Sequence, residues 1–137
     1  MISLTSKAAR LTRYSDRHGG VDCAISGTLF ERDLAQLRID LLRHIERHDL
    51  HWMTVDIRQT TLIVDESAAL PLTTVTAADA PLRLRPVAVV VKPELETLCL
   101  QWQWEMAHEG FMRGVFLDPQ EASRWCRSRS LPDASDA

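Results

Sequence analysis

Residues 86–91 read PVAVVV, and the five residues after the proline carry no polar side chain. Successive side chains of a strand point to opposite sides of the sheet, so a strand with one wetted face alternates apolar with polar. An unbroken β-branched run satisfies both sides at once and reads as a central strand covered on both faces. Such a strand needs a layer above and a layer below, and the rest of the chain supplies them. Phe30, Leu34, Leu37, Leu41 and Ile45 recur at four-, three-, four- and four-residue steps, one apolar stripe on a helix over residues 31–48. Lys92-Pro93 opens a second helix over residues 94–109, with proline in the first turn and Gly110 as terminator. Asp118-Pro119-Gln120-Glu121 supplies an N-cap, an N1 proline and an N3 glutamate for a third, over residues 119–128.

Shorter runs give the remaining strands. Residues 8–14 and 21–26 flank SDRHGG and form a hairpin, after which Gly27-Thr28 opens the first helical pattern. Residues 52–57 put Met53, Val55 and Ile57 on one face, and residues 111–117 form the last strand. A further helix is expected within 66–85, where Pro71, a threonine-rich run and Pro81 blur its limits. The expected fold is α/β: a mixed sheet of four to five strands with an N-terminal antiparallel hairpin and crossover helices. The 137 residues are read as one domain over 1–128 and a polar tail over 129–137. A chain of this length buries roughly two-thirds of its unfolded surface.

Composition narrows the function. With 45% hydrophobic residues, 26% charged residues and a net charge of −3, the chain has no basic footprint for nucleic acid. Positive charge is carried almost wholly by arginine, since Lys7 and Lys92 are the only lysines. The opening MISLTSKAARLTRY has no continuous apolar core of the signal-peptide kind, and no stretch approaches the ~20 apolar residues of a membrane span. Cys23, Cys99 and Cys126 are scattered and odd in number, which suits buried, reduced thiols in a cytoplasmic protein. No cofactor is expected.

The stretch 53–70, MTVDIRQTTLIVDESAAL, runs an alternating strand into Asp56, then a second apolar run into Asp65, Glu66 and Ser67. Together with FMRGVFLDPQEASRW over 111–125, it resembles the STAS/SpoIIAA-like family of anti-sigma factor antagonists and their relatives. The resemblance implies that family's sheet and its element order. It also aligns Asp65 with the family's aspartate and Ser67 with the serine that a partner kinase phosphorylates in the regulatory members. Glu66 stands where those members usually carry serine, and Ala68 where they carry glycine. Read physically, Ser67 sits near a helix start, where its hydroxyl or the Asp65 carboxylate can cap a free N–H. A phosphate there would face the positive helix end.

Other candidates are weighed by spacing. His44, His48 and His51 lie in HIERHDLH, but the glutamate of a zinc-protease HExxH is missing. The wheel puts His48 in line with the apolar stripe and His44 at its edge. No GxSxG elbow surrounds Ser67, and no acid–base set assembles, so no enzyme is expected. Asp56 and Arg58 read as a solvated strand-end pair. In the 94–109 helix, Leu95, Leu98, Cys99, Trp102 and Met106 form the core stripe, while Leu100, Trp104 and Ala107 form a second apolar face. That face is a candidate contact for a protein partner, a second copy of the chain, or an apolar ligand. The expected function is a non-enzymatic regulatory or protein-interaction module, phosphorylation-responsive if Ser67 is used. The alternative is a small-molecule or lipid-binding domain of SEC14 type. A buried pocket of several hundred Å³ would favour the second, a flat apolar patch the first.

Overall fold

His18 and Gly19 both take positive φ, 51° and 78°, and fold the chain back on itself in a two-residue turn. This turn joins β1 (Arg10–Arg17) to β2 (Gly20–Phe30), which pair antiparallel with Arg17 opposite Gly20. The computed structural model describes residues 2–63 and 79–130. Its sheet has five strands in the order β1-β2-β3-β4-β5, and every pair after the hairpin is parallel. The later strands are β3 (Trp52–Ile63), β4 (Val87–Val90) and β5 (Arg113–Phe116). Helix α1 (Glu31–Arg47) makes the crossover from β2 to β3, α2 (Glu96–His108) that from β4 to β5, and α3 (Pro119–Arg129) follows the sheet. Single 3₁₀ turns at Ala80–Leu82 and Pro93–Leu95 precede β4 and α2.

The expected α/β class and the mixed sheet with its opening hairpin are present, and the differences lie at element ends. SDRHGG is not a six-residue connection, because β1 continues through Arg17 and only His18-Gly19 turns. Gly27-Thr28 belongs to β2 rather than to a helix start. Phe30, expected on the buried stripe, is the last residue of β2 and is 46% exposed. The widest departure is β3, which runs six residues past Ile57. Ala24 pairs with Asp56 but Ser26 with Gln59, so β3 carries one extra residue there. Such a bulge shifts the alternation by one. The apolar-facing set therefore changes from Met53, Val55 and Ile57 to Thr60 and Leu62.

The two faces of the sheet carry different cores. On one, Leu34, Leu37, Leu41 and Ile45 of α1 pack with Cys99 of α2 against Val21, Cys23, Ile25, Met53, Val55 and Val87. Each fully buried aliphatic side chain there contributes roughly 1.5–3 kcal/mol. On the other, Ala122 and Cys126 of α3 lie on Trp52, Ala88 and Val90, with Trp125 and Phe116 at the side, ring centroids 5.6 Å apart. Small residues one turn apart let α3 come down onto the Trp52 ring. The β-branched run of residues 87–91 is thus covered from both sides. The outer edge of β5 is partly closed by a side chain, since Val115 N–H donates to Gln103 Oε1 at 2.8 Å.

Candidate functional site

The layer beneath α1 does not fill completely. Leu37, Leu41, Val55, Ile57, Val87 and Cys99 are among the side chains around a cavity of about 110 Å³ between α1, the sheet and α2. Of the described residues lining it, only Arg38 and Arg113 carry a charge. The helical stripe and the strand alternation place the apolar walls. Arg113 shares the β5 face with Val115 and is held opposite Val87, so its long side chain is carried under the helices.

Three charges gather around the polar end. Arg38 Nη2 lies 2.7 Å from Oδ2 of Asp79, whose side chain is fully buried. Arg113 is 6% exposed, and its Nη1 donates to the carbonyls of Arg85 and Met112, each at 3.0 Å. Its Nη2 is buried and has no hydrogen-bond partner among the described residues. The Arg113 guanidinium also sits 5.2 Å from the Phe111 ring centre, a face that attracts a cation without accepting a full hydrogen bond. Burial pushes the Arg113 pKa down to about 10; Asp79 opposes this and Arg38 adds to it.

A second polar group lies on the opposite face, on β2 and β3 beside α3. Asp22 Oδ1 accepts from Thr54 Oγ1 at 2.5 Å, and its Oδ2 is 3.3 Å from Arg17 Nε and 3.5 Å from Ser123 Oγ. Two positions along, Asp56 takes a fork from Arg58: Nε at 3.0 Å to Oδ1 and Nη2 at 2.7 Å to Oδ2. Burial disfavours the Asp56 carboxylate, but the Arg58 bonds and the nearby Arg13 outweigh it and hold the carboxyl below its ordinary range. The pair expected to be solvated has its carboxylate buried, at 6% exposure, because β3 continues past it. Both carboxylates are engaged by cations, so neither is arranged as a general base. The thiols are equally unsuited to attack: burial raises Cys23 to about 12 and Cys99 to about 11, and raises Cys126 as well.

The sequence candidates are distributed as follows. Asp65 and Ser67 lie outside the described residues. Leu100 and Trp104 are 43% and 58% exposed on the outer side of α2, with Ala107 exposed beside them. The Trp104 and His108 rings lie against each other at a tilt of 45°, their centres 4.0 Å apart. The histidine assignment reverses: His44 is buried and His48 exposed, because α1 ends at Arg47 and His48 is its C-cap. Tyr14 Oη and His44 Nε2 are 2.8 Å apart, a bond between β1 and α1 that no local spacing announces. Arg113 and Asp79 were also missed, since a lone arginine and a lone aspartate look like surface residues until the layers close over them. No family model and no curated protein matches the chain.

Proposed function

We propose that the chain is a non-enzymatic regulatory module of STAS/SpoIIAA-like type that acts by binding a protein partner through the outer face of α2. The observation that supports this reading is the exposure of Leu100, Trp104 and Ala107 at helical spacing on one side of a helix whose other side is already packed. A large aromatic flanked by aliphatic side chains is the composition of an interface centre. The resemblance around Ser67 adds the means of control: a phosphate there would change the charge of the same module. The test is a photo-crosslinking amino acid placed at Trp104 and, as control, at Arg127 on α3, in the protein expressed in its own cells. A discrete adduct from position 104 alone supports the reading, with a self-adduct identifying a homodimer. No adduct, or equal labelling from both positions, overturns it. The SEC14-like alternative is favoured by a separate observation, the apolar cavity beneath α1, although at about 110 Å³ it is smaller than a drug-sized site.

A further inference from the structure

The cavity beneath α1 ends at Arg113, whose Nη2 is buried with no hydrogen-bond partner among the described residues. Asp79 is already joined to Arg38. Arg113 adds a second positive charge, and its Nη2 lies out of water without an acceptor among the described residues. A buried donor left unsatisfied costs about 1–3 kcal/mol, and more when it is charged. An anion at that end of the cavity would remove the penalty. We infer that the cavity is a receptor for a short aliphatic carboxylate, its chain among Leu37, Leu41, Val55 and Val87 and one carboxylate oxygen accepting from Arg113 Nη2. The space sets the chain length. An engineered cavity of about 150 Å³ holds the six carbons of benzene, so about 110 Å³ holds roughly four to five non-hydrogen atoms. The charge sets the head group. One free guanidinium nitrogen suits one negative charge, whereas a phosphate would bring nearly two to the same buried point. A free acid is specified rather than the acyl chain of a lipid ester, because an ester has no charge to offer Arg113.

This inference does not depend on the α2 surface. It is tested by calorimetric titration of the full chain with propanoate, the isosteric neutral propanamide, and hexadecanoate. The expected result is binding of propanoate at least tenfold tighter than propanamide, with hexadecanoate no tighter than propanoate. In Arg113→Gln the preference for propanoate over propanamide should vanish. The comparison of acid with amide on the unaltered protein decides the question even if that variant does not fold. Equal affinity for acid and amide overturns the charged head. Tighter binding of hexadecanoate overturns the size argument. No binding of any of the three overturns the receptor altogether.

Discussion

An imidazole closed in between a tyrosine hydroxyl and a second imidazole is poorly placed to accept a proton. His44 is 6% exposed, its Nε2 is 2.8 Å from Tyr14 Oη, and the His48 ring lies 4.4 Å away. Desolvation first, then the neighbouring His48, lowers its pKa from 6.5 to about 4. Between those two values the unfolded chain binds a proton that the folded chain refuses. The contribution is therefore fully present above pH 6.5 and is lost as the pH falls toward 4. The expected loss is on the order of 2–3 kcal/mol across that window. Urea midpoints at pH 7 and pH 4.5 should show it. In His44→Gln, which keeps a hydrogen-bonding group for Tyr14, the slope should flatten. An unchanged slope would mean that His44 titrates normally. Nothing in HIERHDLH announces this residue, because its partner is 30 positions away on β1.

At the scale of elements, the β2 strand shows how one backbone position can be fixed by a neighbouring segment. Gly27 takes φ 132°, and a Cβ there would lie 2.0 Å from the carbonyl oxygen of Ala8. Both facts exclude a side chain: the backbone conformation favours glycine, and the space is occupied. Gly27→Ala should cost about 3 kcal/mol or more in chemical denaturation. Gly110→Ala, with φ 85° but only the flexible Arg83 side chain 3.2 Å away, should cost about 1–2 kcal/mol. Equal effects at both positions would show that Ala8 can move aside. The sequence reading put Gly27 at a helix start because glycine breaks strands as readily as it opens helices. The extra residue after Asp56 misled the reading of β3 in a related way. A bulge interrupts period-two alternation without ending the strand, so Ile57 looked like the last position of an element that reaches Ile63.

At the scale of the whole molecule, residues 2–9 form a strap across α1 that no periodicity marks. Asp40, 7% exposed on α1, accepts from Thr5 N–H at 2.8 Å, Thr5 Oγ1 at 2.9 Å and Gln36 Nε2 at 2.9 Å. Asp33 accepts from Ser6 Oγ at 2.7 Å, and Ile2 is buried in the core beyond. Asp40→Ala should cost about 1–3 kcal/mol and make residues 2–9 newly sensitive to limited proteolysis while the sheet stays intact. Unchanged cleavage would show that Ile2 and the Ser6–Asp33 bond hold the strap without Asp40. By itself the sequence determined the α/β class, the interior position of PVAVVV, the apolar stripe of α1 and the Asp118 cap of α3. Each of these rests on residues within a few positions of one another, where a repeat of two or 3.6 and a capping bond are legible. Only the tertiary structure decided which carboxylates are clasped, that His44 rather than His48 is enclosed, and that Arg113 ends an apolar cavity. Those outcomes depend on burial and on partners from distant strands and helices, and the desolvation that gives a charge its consequence exists only once the layers have closed.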